Sequence, residues 1–390
     1  MSHRKPFSFR IAVFVAAALV LGGCASGRPR DLVETSAVNI PADAVAGAHG
    51  IFVATTRAHA KYAPEVFDGE RSATLSFAKV DVTVPRVHEV GKLERPRSGS
   101  KVDPAKHFAA TNVALFRSDS EFRKALAADI QRRGGRAVIF IHGYNTSFDK
   151  AVYRVTQIAQ DSGYPGTPVL FTWASAGRVI DYVYDNNSAT MARNQLVDTI
   201  RLVASAGATR IDIIAHSMGN WVTMEALRQA AAAGDRDFGN RLGDVVLASP
   251  DIDVDVFKSQ LRDYGPPKNP FIVVTSAKDR ALLVSGFIAG RNRAGDYSDA
   301  MDLASYGVVV VDLSDVEAGD SLRHTTFADN PVMVRLLGAR LTDSDKLGND
   351  ETELTNSIAR LASGVGQTVT SAAAVVITTP AAVVKIAVGE

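Results

Sequence analysis

Residues 211–220 read Ile-Asp-Ile-Ile-Ala-His-Ser-Met-Gly-Asn, and this stretch decides the fold. An apolar run of strand length, 211–215, leads through Ser217 into a stretch of helical length, 221–233. The spacing matches G-x-S-x-G, with Ala215 in place of the first glycine, and this motif presents a serine hydroxyl on a tight strand–turn–helix bend. Small residues flank the serine because the bend brings strand and helix close together. We predict Ser217 as a nucleophile rather than as a purely structural helix N-cap.

The surrounding sequence alternates between two patterns. Fully apolar runs of strand length lie at 137–141, 168–173, 211–215, 245–248, 271–275 and 308–311. Amphipathic stretches of helical length lie between most of them, at 148–162, 189–206, 221–233 and 254–261. Ser118 and Glu121 form a capping box that predicts one more helix, to about residue 133. Buried strands that alternate with helices predict an α/β fold with a mostly parallel central sheet and helices on both faces. Active sites of such sheets gather at the carboxyl ends of the strands.

A serine nucleophile needs a base, and chain order indicates which histidine supplies it. In this arrangement the nucleophile comes first, then the acid, then the histidine. Of the eight histidines only His324 follows Ser217, in a polar loop after the last predicted strand. A histidine in a polar loop is often only solvated, but the order and the position favour His324 as the general base.

Two carboxylates are candidates for the acid that orients this histidine. Asp279 follows the apolar run 271–275, and Asp251 follows the run 245–248. Asp279 is preferred because it comes after the strand that usually supplies this residue. Asp251 remains the alternative, and otherwise it is interpreted as a turn, helix-cap or pocket residue.

The developing oxyanion requires backbone donors beside the nucleophile. The N–H of Met218 follows Ser217 at a predicted helix N-terminus. The second donor is expected in the loop after the run 137–141, where His142-Gly-Tyr-Asn145 stands, and the N–H of Tyr144 is the candidate. His142 is interpreted as fixing this loop rather than as the base. The residues predicted to line the pocket are His142, Gly143, Trp173, His216 and Asp251.

Several motifs together resemble one bacterial family of α/β-hydrolases of unknown function, whose members are often exported and described as esterase- or lipase-like. The matching stretches are HGYN at 142–145, FTWASAG at 171–177, YD at 184–185, AHSMGN at 215–220, SPD at 249–251 and DRAL at 279–282. The resemblance implies the α/β-hydrolase fold and a triad of Ser217, Asp279 and His324. The family commonly has proline after the tryptophan, where this chain has Ala174.

These residues predict a serine hydrolase that cleaves carboxylic esters, with a small-molecule or lipid ester as substrate and no metal or cofactor implied. The alternative is an inactive hydrolase fold that serves as a binding or structural envelope lipoprotein. Lys and Arg (43) nearly balance Asp and Glu (42), and no segment is strongly basic, so a nucleic-acid partner is not expected. The oligomeric state is not specified.

The N-terminal residues have the pattern of an export signal. Arg4, Lys5 and Arg10 precede an apolar run at 11–21, and Leu-Gly-Gly-Cys at 21–24 resembles a bacterial lipobox. We predict a signal peptide (1–23), lipidation of Cys24, a tether (24–48), a hydrolase domain (49–342) and an Ala/Val-rich tail (343–390). The tail is expected to pack on the domain or to be partly disordered, because Pro380 interrupts a membrane span. The expected location is the cell envelope, at the periplasmic side of the outer membrane.

Overall fold

A computed structural model describes residues 32, 40–62, 65–97, 100–317, 319–343 and 373–388. These residues contain one sheet whose strands lie in the order β11-β10-β9-β8-β7-β6-β4-β5-β1-β2-β3. The strands are β1 (Val45–His59), β2 (Phe67–Pro85), β3 (Ala109–Phe116), β4 (Arg136–Ile141), β5 (Thr167–Thr172), β6 (Arg210–His216), β7 (Leu242–Ala248), β8 (Ile272–Thr275), β9 (Val309–Asp312), β10 (Ala373–Thr378) and β11 (Val383–Val388).

Seven of these strands, in the spatial order β9-β8-β7-β6-β4-β5-β1, run parallel to one another. Both faces of this parallel part are buried, as β4 illustrates. Val138 and Phe140 belong to one apolar cluster, whereas Ile139 and Ile141 belong to a second. Successive side chains of a strand point to opposite faces, so a run that is apolar at every position has to be covered on both sides. The prediction of a mostly parallel central sheet is confirmed.

Helices cover the two faces of the sheet. They are α1 (Asp119–Arg132), α2 (Phe148–Ser162), α3 (Tyr182–Met191), α4 (Arg193–Ser205), α5 (Gly219–Ala232), α6 (Val254–Tyr264), α7 (Arg280–Ala289), α8 (Ala300–Ala304), α9 (Thr326–Asp329) and α10 (Pro331–Asp343). Helix α2 contributes Val152 to the cluster that contains Val138, and α1 and α4 contribute Phe122 and Leu196 to the opposite cluster. The predicted helix 189–206 is divided at Ala192 into α3 and α4.

The sheet extends beyond the predicted domain at both ends. Strand β1 begins at Val45, four residues before the predicted boundary, and pairs there with the end of β2. Strands β10 and β11 come from the predicted tail and form a hairpin that is antiparallel to β9. Residues 373–388 therefore complete one edge of the sheet. Cys24 lies outside the described residues, and within the described ranges no helix is long and apolar enough to cross a bilayer.

The hairpin is expected to contribute to stability because its side chains are buried against the domain. Ile377 on β10 is fully buried, so Ile377→Ala is expected to lower the free energy of unfolding by about 2–5 kcal/mol. Val383 on β11 is 56% exposed, and Val383→Ala is expected to change it by no more than about 0.5 kcal/mol. Urea denaturation measures both. Equal stability of the two variants would show that the hairpin does not pack as described.

Candidate active site

The site is built on the bend between β6 and α5. Ser217 lies between them with φ of 54°, in the left-handed region that costs energy for any residue other than glycine. Backbone hydrogen bonds hold this conformation: the N–H of Ser217 donates to the carbonyl of Ala248 (3.0 Å), and its carbonyl accepts from the N–H groups of Asn220 (3.1 Å) and Asp251 (3.3 Å). Strain of this kind persists only where the surroundings enforce it, and it is common at catalytic residues.

Two glycines let the loop after β4 press against this bend. A Cβ at Gly219 would lie 2.5 Å from the carbonyl oxygen of His142. A Cβ at Gly143 would lie 2.6 Å from the Cβ of Ser217 and 3.2 Å from its hydroxyl. Neither position has room for a side chain. The predicted nucleophile and the predicted oxyanion loop are therefore in contact.

His324 and Asp279 are joined by a hydrogen bond. The imidazole Nδ1–H donates to Oδ2 of Asp279 at 2.8 Å, so Nε2 is left as the acceptor. Asp279 is fully buried and is also the N-cap of α7, where its Oδ1 accepts from the N–H of Leu282 at 3.0 Å. The cap fixes the carboxylate, and the carboxylate in turn fixes the imidazole tautomer and orientation.

The electrostatics of the imidazole follow from this pair. Burial lowers the pKa of His324, but the charge of Asp279 and its hydrogen bond outweigh burial, so the pKa is raised above 6.5. Asp251 and Asp320 act in the same direction with smaller effect. The imidazolium is thus stabilised, as a base that accepts a proton during reaction requires.

His216 connects the bend to the loop of His324. Its Nε2–H donates to the carbonyl of His324 at 3.0 Å, and the two rings lie 4.6 Å apart between centroids. Burial and the neighbouring His324 keep the pKa of His216 well below 6.5, so this ring is neutral. Within the described ranges Ser217 and His324 form no side-chain hydrogen bond with each other. Such bonds are often long in ligand-free enzymes and tighten when substrate binds.

Asp251, the alternative acid, has other partners. Its N–H donates to the carbonyl of Ser217 at 3.3 Å, so it lies beside the bend. Its carboxylate accepts from Ser285 (2.5 Å) and Tyr182 (3.0 Å) and pairs with Arg293 (3.1 Å). Asp279 is the carboxylate that contacts the imidazole, and Asp251 belongs to a polar wall at the site.

The two predicted oxyanion donors are available. Among the described residues, neither the N–H of Tyr144 nor the N–H of Met218 donates a hydrogen bond. Met218 precedes α5, whose N-terminus adds positive potential. The Tyr144 ring packs edge-on against Tyr182 with centroids 5.3 Å apart, and its hydroxyl donates to the carbonyl of Val179.

His142 and Trp173 pack against the predicted oxyanion loop, residues 142–145. The His142 Nδ1–H donates to the carbonyl of Gly143, and Nε2 accepts from the hydroxyl of Thr172, both at 2.8 Å. Burial and the nearby Arg57 lower the pKa of His142 to about 3, so it is neutral. Trp173 stacks on this ring and donates its indole N–H to the His142 carbonyl at 2.9 Å. Both side chains are buried, and these contacts hold the loop in place.

Arg57 is a functional neighbour that the sequence reasoning missed. Its guanidinium is buried and donates to Thr172 (2.8 Å), to the carbonyl of Ser175 (2.8 Å) and to the carbonyl of Thr146 (2.6 Å). It thereby ties the oxyanion loop to the end of β5. The available signal was a charged residue directly after the apolar and threonine run 51–56 of β1.

Asp185 on α3 completes this support. Its carboxylate accepts from the hydroxyl of Ser175 (2.6 Å), the N–H of Ala176 (2.8 Å) and the N–H of Asn145 (3.1 Å). Asn145 has a φ of 55°, so the contact holds the loop in a left-handed turn. Burial raises the pKa of Asp185 and lowers the pKa of Arg57 to about 10. The positive charge of Arg57 and the negative charge of Asp185 act on each other's pKa in the direction opposite to burial.

Removal of this carboxylate is expected to destabilise the domain. Asp185→Ala leaves buried donors without an acceptor and removes a counter-charge of Arg57, so a loss of about 3–5 kcal/mol in the free energy of unfolding is expected. Asp181→Ala is the matched control: in the described part of the chain Asp181 forms an ion pair with the exposed Arg178 alone, so its loss should cost no more than about 1 kcal/mol. Urea denaturation distinguishes the two, and similar losses would contradict the assigned role.

Several solved structures resemble this chain remotely. A hyperthermophilic esterase from the archaeon Pyrobaculum calidifontis is 12% identical with a TM-score of 0.36, and the match covers 88% of this chain and 93% of the esterase. Aspergillus fumigatus lipase B is also 12% identical, with a TM-score of 0.35, over 58% of this chain and 61% of the lipase. This chain therefore spans less than two thirds of the lipase. No curated protein matches it.

A family model gives a direct assignment. The model described as "Alpha/beta hydrolase of unknown function (DUF900)" matches residues 118–340, more than half of the chain. The match includes the bend at Ser217 and the pair of Asp279 and His324. The chain belongs to this family of α/β hydrolases.

Proposed function

We propose that this protein is a serine hydrolase that cleaves carboxylic esters through an acyl-enzyme on Ser217. The observation that carries the proposal is the hydrogen bond between His324 and Asp279, on a loop that His216 fastens to the bend carrying Ser217. The bend holds Ser217 at positive φ, and the loop of Gly143 and Tyr144 packs against it. In the described part of the chain the N–H groups of Met218 and Tyr144 donate no hydrogen bond. A nucleophile, a base, an orienting acid and oxyanion donors are the parts that acyl transfer requires.

The first half of the proposed reaction forms the acyl-enzyme. Nε2 of His324 accepts the hydroxyl proton of Ser217 while Oγ attacks the ester carbonyl carbon, and the carbonyl oxygen becomes an oxyanion held by the N–H groups of Tyr144 and Met218. The tetrahedral intermediate collapses, the ester C–O bond breaks, and the imidazolium gives its proton to the leaving alcohol. Asp279 stabilises the imidazolium throughout.

The second half releases the acid. His324, neutral again, accepts a proton from water as the water oxygen attacks the acyl carbon. The same donors hold the second oxyanion. When the bond from the acyl carbon to Oγ breaks, the imidazolium returns its proton to Ser217, and a carboxylic acid leaves. A small-molecule or lipid ester is the proposed substrate.

We also propose that the mature protein is a lipoprotein of the cell envelope, anchored through Cys24. The support is the lipobox-like sequence at 21–24 after a signal-like apolar run. Metabolic labelling with a palmitate analogue is expected to mark the wild-type protein and to fail for Cys24→Ser. Equal labelling of the two would exclude Cys24 as the lipidated residue.

Labelling with a fluorophosphonate tests the catalytic proposal. The probe should modify Ser217 of the full protein, as located by peptide mass spectrometry. His324→Ala should label about 10²–10⁴ times more slowly because the base is lost. The wild-type rate should fall as the pH drops below the raised pKa of His324, since only the neutral imidazole accepts the proton. A folded protein whose Ser217 does not react would favour the inactive binding or structural role instead.

The matched control for this experiment compares the two carboxylates. Asp279→Asn should slow labelling by on the order of 10⁴-fold, because it favours the wrong tautomer of His324, and should shift the midpoint of the pH profile downward. Asp251→Asn leaves the acceptor of the imidazole in place, so its effect should be much smaller. If Asp251→Asn slowed labelling more than Asp279→Asn, Asp251 rather than Asp279 would be the acid that orients His324.

A further inference from the structure

Five exposed apolar side chains form a surface beside the candidate active site, here called the apolar rim. They are Ile180, Val183, Leu283, Phe287 and Ile288, and they are between 48% and 82% exposed. Three of them lie on α7, whose sequence RALLVSGFIA contains one charged residue in ten. A helix that is apolar all round is normally covered on every side, and α7 is not.

The two parts of the rim lie next to each other. Ile180 and Val183 lie on either side of Tyr182 in the sequence, and α7 carries the other three side chains. The hydroxyls of Tyr182 and Ser285, which lies on α7, are 2.9 Å apart in a hydrogen bond. The start of α3 therefore contacts α7, and the exposed side chains of the two segments lie on neighbouring parts of the surface. Contiguous exposed apolar patches usually mark a binding surface.

The rim adjoins the reacting groups. Helix α7 begins at its N-cap Asp279, which holds His324. Tyr182 donates to Asp251, whose own N–H bonds to the carbonyl of Ser217. A partner that covers the rim would thus lie at the entrance to the site.

The charges around α7 indicate which partner fits. Arg280 and Arg291 stand at its two ends and are exposed. Arg280 donates weakly to the carbonyl of Ser321 (3.4 Å), and in the described part of the chain neither arginine forms an ion pair. Cationic groups that border an apolar helical face match anionic head groups above acyl chains.

We propose that the apolar rim docks on a lipid bilayer that contains anionic phospholipid, with the rim side chains in the acyl layer and the active site facing the membrane. The proposed anchor at Cys24 precedes Leu32 by eight residues, and the Leu32 side chain is buried in the apolar cluster that contains Val138. At ~3.3–3.6 Å each these residues span at most about 26–29 Å, so the anchor would hold the domain close to the bilayer.

Depth-dependent quenching tests the docking. The full mature protein, with cysteine and a fluorophore introduced at Phe287→Cys, is bound to vesicles of phosphatidylethanolamine and phosphatidylglycerol with brominated acyl chains. Fluorescence at position 287 is expected to fall below half of its value on unbrominated vesicles. The control probe at Val87→Cys, which is 57% exposed in the loop after β2, should keep nearly all of its intensity.

A second variant ties the quenching to the rim. Ile180→Ser with Leu283→Ser removes two exposed apolar groups without touching the core, and it should abolish quenching at position 287, whereas Val87→Ser should not. Ser217→Ala should leave quenching unchanged, because docking does not depend on the nucleophile. The test of docking is therefore independent of the test of catalysis. Equal quenching at positions 287 and 87, no quenching at 287, or a rim-dependent dimer in place of bound vesicles would each overturn the proposal.

Discussion

The close approach of two loops is the constraint on which the rest of the structure depends. Strands β4 and β6 are parallel neighbours with Ile141 opposite Ala215, so the loops that follow them leave the sheet side by side. Gly143 and Gly219 then allow these loops to touch where any side chain would collide. Because the contact is backbone against backbone, the strained Ser217 and the positions of the Tyr144 and Met218 N–H groups are set by the sheet itself rather than by mobile side chains.

Buried charges hold the two halves of the site, and each is compensated in a different way. Beside the loop of Tyr144, Arg57 and Asp185 form their hydrogen bonds with backbone and hydroxyl groups of the surrounding loops. On the base side, Asp279 divides its two oxygens between a helix N-terminus and His324. A buried charge persists only with such partners. The first arrangement fixes a loop, whereas the second fixes the tautomer of the His324 imidazole and raises its pKa.

Helix α3 links these two halves to the surface. One turn of it carries Asp185, which bonds to the loop at Asn145, and Tyr182, which bonds to Asp251 and Ser285. These two residues are three apart and share one face of the helix, so this face contacts both groups of residues. The exposed Val183 follows Tyr182 directly and points to a different face, where it presents an apolar surface. Any partner at that surface acts next to the residues that arrange the chemistry.

The sequence by itself determined the six strands β4 to β9 and singled out Ser217, because apolar periodicity and the small residues around Ser217 are local signals. Chain order was enough to select His324. Only the tertiary structure decided that Asp279 rather than Asp251 meets the imidazole, that Trp173 is buried under a loop, and that residues 373–388 join the sheet edge. It also showed the role of Arg57. These contacts join residues far apart in the chain, and strand register, which no local pattern encodes, places them together.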